Sequence, residues 1–173
     1  MSFQLAAPPQ TVQWYTPKSI FEMLGLVFFL DPCHPGRDVV DWVPAVWIFT
    51  EKEDGLAQPW TGLVWLNPPY GDQTPVWLAK MHEHRQGVAL VFSRTDTPWF
   101  KDYVAKADAV LFLRKRVRFV DQHGKTGKSP NCGSLLVAWG EEGVQALRAA
   151  EAAGHGVLWE IAENACALRK VML

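Results

Sequence analysis

Asn67-Pro68-Pro69-Tyr70 follows directly on Leu63 to Leu66, an apolar run of strand length. Two adjacent prolines fix φ at about −65° and remove two N–H donors. The chain therefore turns a rigid corner whose carbonyls stay free to accept. An Asn amide oxygen beside a Pro carbonyl makes two acceptors suited to holding one NH₂ group. An aromatic ring three residues on can stack on the plane that bears the amine. An exocyclic aromatic amine such as that of adenine needs this help, because its lone pair is delocalised into the ring. Two acceptors on its hydrogens favour a more tetrahedral nitrogen whose lone pair can face a methyl donor. A proline-rich turn with an incidental Asn cap and a core tyrosine is the competing reading.

The elements that must position this corner follow from the pattern of apolar runs. Pro17 suits the first position of a helix that carries Ile20, Phe21 and Leu24 and stops at Gly25. Strands are expected over 26–30, 63–66, 87–92, 109–113, 117–120 and 135–139, with a short apolar piece at 46–49. Helices are expected over 77–84, 99–107 and 141–153, followed by an apolar piece and a last helix. Residues 1–13 read as a flexible arm, and 14–173 as a single domain. Continuous apolar strands alternating with helices predict an α/β fold, a mostly parallel sheet covered on both faces. In such sheets ligands gather at the carboxyl ends of the strands. Asp31, Asn67 and the run Ser93-Arg94-Thr95-Asp96-Thr97 all fall just past predicted strands, on one rim.

The chain has 173 residues, a formal net charge of −1 and 49% hydrophobic residues. A near-neutral total means that any contact with nucleic acid must come from a local patch. Residues 114–128 supply one: Arg114, Lys115, Arg116, Arg118, Lys125 and Lys128 stand against the single acid Asp121. A solvated charged hairpin is the alternative reading of that segment. Arg94 suits a phosphate contact as well as it suits an ion pair with Asp96. Cys33, Cys132 and Cys166 are odd in number and widely spaced, which excludes a disulfide framework or CxxC zinc site and favours a reducing cytoplasm. The five histidines lack ligand spacing, so no metal is expected. No apolar stretch approaches the ~20 residues of a membrane span, so no membrane partner is expected. The oligomeric state is open between a monomer and a weak dimer.

Taken in order, Trp14-Tyr15-Thr16-Pro17, Leu30-Asp31-Pro32-Cys33, Asp54-Gly55-Leu56, Trp65 to Tyr70, Arg94 to Thr97 with Trp99-Phe100, and Gly133-Ser134 resemble the phage- and prophage-type DNA adenine-N6 methyltransferase family. The resemblance covers about residues 14 to 139. It implies a Rossmann-like methyltransferase fold with an antiparallel strand near the C-terminal end. It also implies S-adenosylmethionine as methyl donor, a flipped adenine in DNA as acceptor, and the cytoplasm of a bacterial host cell. Asn67, Pro68, Pro69 and Tyr70 match the catalytic motif. Tyr15, Thr16, Pro17, Asp31, Pro32 and Cys33 match cofactor-binding positions, and Ser134 joins Arg94 and the basic segment on the DNA side. A ribose-binding acid is expected among Glu51, Glu53 and Asp54. The chain departs from relatives in having Gly36 as the one glycine after the first strand. It also has Asn131-Cys132 where an aromatic usually precedes Gly-Ser, and Cys132 reads as a packing residue. The same corner serves methylation of RNA adenines and of protein glutamine amides. A non-catalytic DNA-binding module on the same fold is the remaining alternative.

Overall fold

A computed structural model describes residues 14–161; the arm expected at 1–13 and the last helix lie outside them. Seven strands form one sheet: β1 (Phe28–Asp31), β2 (Ala45–Ile48), β3 (Val64–Leu66), β4 (Gly87–Phe92), β5 (Ala109–Leu113), β6 (Ser134–Trp139) and β7 (Gly156–Glu160). Their order is β2-β1-β3-β4-β6-β5-β7. The first four run parallel, with Leu30 opposite Val64 and Leu66 opposite Ala89. β6 and β7 run the other way, so the antiparallel part is larger than the single strand expected. The apolar piece after residue 153 supplies the extra strand. It finds the free edge of β5 and pairs along five residues.

Helices cover both faces. α1 (Lys18–Leu24) and α4 (Glu141–Ala152) pack with Phe28, Trp65 and Leu90 on one side. α2 (Thr74–His84) and the segment after β4 pack with Leu30, Leu66 and Ala89 on the other. Neighbours along each strand thus alternate between two apolar layers, which is why the strands read as continuous apolar runs. The expected helix at 99–107 divides into α3 (Pro98–Asp102) and a 3₁₀ turn at Val104–Lys106. Tyr103 leaves helical geometry between them (φ −123°, ψ −49°), and Val104 and Ala107 enter the core.

The strand expected over 117–120 does not form. β6 and β7 already flank β5, so the chain leaving Leu113 cannot fold back to pair with its own strand. Its alternation survives as burial of Val117, Phe119 and Val120, with bridges from Val120 to Tyr15 and Thr126.

Trp65 sits at the centre of the first layer, 4.8 Å from the Phe21 ring and 5.4 Å from Phe28. It is 1% exposed and lies two residues before Asn67. Trp65→Ala should lower unfolding free energy by about 3–5 kcal/mol, measured by urea denaturation. A loss under 1 kcal/mol would show that the layer repacks without it.

Candidate active site

The carboxyl ends of β1, β3 and β4 open on one cleft of about 1450 Å³. A site for one small ligand is about 300–1000 Å³, so this space exceeds a single occupant. Tyr15, Thr16, Asp31, Pro32, Cys33 and the whole Asn67 to Tyr70 corner line it, with Lys128. Asp31 and Asn67, 36 positions apart in sequence, are brought together because β1 and β3 are parallel neighbours that end on the same rim.

The corner divides its acceptors. The Cys33 thiol donates to the Asn67 main-chain carbonyl at 3.1 Å, tying the loop after β1 to the loop after β3. The Thr74 hydroxyl, in the first turn of α2, donates to the Pro69 carbonyl at 3.0 Å. Between them the Pro68 carbonyl accepts no hydrogen bond among the described residues. The Asn67 side-chain oxygen accepts from the Tyr70 hydroxyl at 3.1 Å. The Tyr70 ring stacks on Phe92 (4.1 Å, 22°) and meets the edge of Phe119 at 6.0 Å. Two acceptors and an aromatic face thus share one wall.

Asp31 is 4% exposed and its carboxylate accepts from the Cys33 backbone N–H at 3.1 Å. Burial outweighs that bond and pushes its pKa up to about 7. A cation beside it would reverse the balance. Burial, reinforced by Asp31, keeps the Cys33 thiol protonated, so it acts as a donor and not a nucleophile. His34 is 2% exposed and burial lowers its pKa to about 4. The Gly36 N–H donates to its Nδ1 at 3.0 Å, which leaves Nε2–H as a donor. That atom and the Thr16 hydroxyl are buried without partners among the described residues. Buried polar groups are normally satisfied, so two orphaned donors in the wall of one cleft fit a ligand rich in acceptors.

The loop after β2 closes the cleft. Gly55 lies so close to the Pro32 carbonyl that an added Cβ would sit 1.8 Å from its oxygen. Lys80 of α2 donates to the carbonyls of Gly55, Leu56 and Gln58, at 2.6 Å for the last, and stands 5.2 Å from the Trp60 ring. Glu53 spends its carboxylate on the Thr50 N–H and hydroxyl, whereas Asp54 gives one oxygen, Oδ1, to the Leu56 N–H. Glu51 and Asp54 line the cleft.

The expected DNA contacts separate in space. Lys128 borders the cleft, whereas Arg114, Lys115, Arg116 and Arg118 line a second one; Lys125 lines neither. Pro17, expected beside the cofactor with Tyr15 and Thr16, lines that second cleft and not the first. Arg94 is exposed and forms no ion pair with Asp96 among the described residues. Ser134 is 2% exposed, with its hydroxyl enclosed and unpartnered. Sequence reading missed His34, Lys80, Phe92 and Phe119. A histidine between two prolines after Asp31, and a phenylalanine at the rim end of β4, were local signals for two of them. Lys80 and Phe119 reach the site only through tertiary packing.

Asp31 carries a pH signature. Its carboxyl is protonated more readily in the folded chain than in the unfolded one, so it favours folding below about pH 4. That contribution is lost as pH rises through about 7. Without ligand, Asp31→Asn should be more stable than the parent at pH 8, with the difference shrinking towards pH 4. Thermal melts across that range measure it, and a constant difference would show that Asp31 ionises normally.

A family model described as DNA N-6-adenine-methyltransferase (Dam) matches residues 7–149. No curated protein and no solved structure matches the chain significantly. The model spans the Asn67 to Tyr70 corner, the Asp31 loop and the basic segment, and members of such methyltransferase families generally use S-adenosylmethionine. The chain belongs to the DNA N-6-adenine-methyltransferase family.

Proposed function

We propose that this protein transfers a methyl group from S-adenosylmethionine to the exocyclic amine of an adenine flipped out of DNA. The observation that carries the reading is the pairing of an unspent Pro68 carbonyl with the Asn67 side chain, beside the Tyr70 ring in one cleft. The sheet order, with helices on both faces, supports a Rossmann-like methyltransferase fold.

The donor fits the residues present. Asp31 suits an ammonium, the Thr16 hydroxyl and His34 Nε2–H suit carboxylate or ribose oxygens, and Glu51 or Asp54 suits ribose hydroxyls. Tyr15, Pro32 and Cys33 line the same cleft, and Pro17 starts the helix that follows Thr16. When bound, the cofactor supplies an electrophilic methyl on a sulfonium. The protein contributes position and polarisation. Asn67 Oδ1 and the Pro68 carbonyl accept from the two amine hydrogens and localise the nitrogen lone pair. Tyr70 holds the base by its ring. Its hydroxyl occupies Asn67 Oδ1 until the amine replaces it as donor. Flipping the base costs a few kcal/mol, which stacking at about 1–3 kcal/mol per base offsets.

No group of three or more His, Cys, Asp or Glu able to hold a metal occurs among the described residues, and these roles call for none. No described helix is long and apolar enough to cross a membrane. A bacterial cytoplasm would keep Cys33 and Cys132, both free thiols, reduced.

Asn67→Ala should cut methyl transfer to DNA by about a hundredfold or more, the scale for losing one preorganised polar contact. Cofactor affinity by calorimetry should hold. Tyr70→Phe keeps the ring and should be milder than Tyr70→Ala. Incorporation of label from the methyl donor into DNA, RNA and protein separates the substrate classes, and wild-type turnover in Asn67→Ala would sink the assignment.

A further inference from the structure

Arg114, Lys115, Arg116 and Arg118 build a second cleft of about 730 Å³, closed by α1 and by the turn at 153–155. All four are exposed; among the described residues no acid lines this cleft and none of the four forms an ion pair. Cations that serve the fold behave differently here: Arg85 pairs with Asp108, and Arg148 with Glu160. Four positive charges within five residues repel one another, and a polyanion relieves that repulsion.

The second cleft is continuous with the catalytic one. Thr126 lines both. The ridge between them is the Tyr15–Val120 bridge, two backbone hydrogen bonds of 2.7 and 3.0 Å. Arg116 donates to the Pro130 carbonyl at 3.0 Å, and Pro130 lines the catalytic cleft. One cation therefore fastens the loop, while Arg114 and Arg118 make no side-chain hydrogen bond among the described residues. At the opposite end of the sheet, past β2, the catalytic cleft is edged by Glu51, Lys52 and Asp54, a mixed and mainly acidic rim. The field across the site is thus one-sided.

We propose that the second cleft holds the phosphodiester backbone of the nucleotides flanking the target adenine on one side, and that the β2 side makes few phosphate contacts. The inference rests on the DNA-methyltransferase reading and adds a direction to it. A strand entering over the Tyr15–Val120 ridge would leave its target base in one cleft and its neighbouring phosphates in the other. Phosphate contacts carry affinity without sequence information. The chain should therefore need a minimum length of DNA on one flank, whatever that flank's sequence.

The test uses the whole chain and oligonucleotides with a single adenine, shortened stepwise from either end. For the wild type, shortening one end should raise KM for methyl transfer about tenfold or more, while the other end tolerates trimming. Arg114→Gln with Arg118→Gln should remove that asymmetry and flatten the salt dependence of DNA binding by about 0.7–0.9 per lost contact. Cofactor affinity should stay unchanged. Arg114→Lys with Arg118→Lys should restore the slope. Arg116 is left intact because its bond to Pro130 would confound the result. Wild-type DNA methylation with an unchanged slope and truncation profile in the double variant overturns the inference alone. A wild type that binds the cofactor but methylates no DNA overturns the functional reading, and this inference with it.

Discussion

Of three consecutive carbonyls at the turn after β3, the first and third are spent holding the turn, and the middle one is left to accept. Cys33 takes the carbonyl of Asn67 and Thr74 takes that of Pro69. Each bond contributes only about 1 kcal/mol net, yet their effect is positional. They anchor the corner to the loop after β1 on one side and to α2 on the other. The two prolines remove the local donors that would otherwise compete for Pro68. An acceptor held this way needs no reorganisation when an amine arrives, which is the condition under which a polar contact contributes most to a reaction. The β1–β3 register, the Cys33 thiol and the start of α2 all serve that one arrangement.

The electrostatics of the cleft follow the same division between spent and unspent groups. Glu53 satisfies the Thr50 N–H and hydroxyl of its own loop, so its charge is local. Asp31 is enclosed with the Cys33 N–H as partner, and His34 is held neutral with one nitrogen unsatisfied. Burying groups in this state costs stability that a purely structural loop would have no reason to give up. The cost falls at the end of β1, in the wall of the large cleft that the Asn67 to Tyr70 corner also lines. Lys80 shows the contrast: it is also partly enclosed, but three carbonyls and the Trp60 face compensate it. Its role is to hold the Gly55 loop against Pro32, where no Cβ can fit.

Much of this was legible because it is local. Asn67 to Tyr70 and Asp31 sit within a residue or two of strand ends, so recognising β1 and β3 as strands placed them on one rim. Gly25 takes the left-handed conformation that ends α1 (φ 61°), where a glycine after an apolar helix should. The run at 117–120 misled because alternation reports burial and not pairing; Val117 and Phe119 are buried, but β5 had no edge left to offer. β7 was unread as a strand for the complementary reason. Its pairing depends on an edge that only the assembled sheet provides, and its exposed Val157 and Trp159 give no clean pattern.

Phe119 shows how one misread segment joins the two halves of the site. The sequence offers no aromatic before Gly133-Ser134, which leaves the wall facing Tyr70 without an obvious ring. The loop after β5 fills that place from further upstream, setting Phe119 edge-on to both Tyr70 and Phe92 at about 6 Å. Phe119 is flanked by Arg118, on the second cleft, and by Val120, which bridges to Tyr15. Three consecutive residues therefore meet the charged cleft, the Tyr70–Phe92 wall and the Tyr15 segment in turn. A regular strand could not serve all three, because its side chains alternate between only two faces. The irregular path of 117–120 is what lets a chain of this length bring separate surfaces to one ridge.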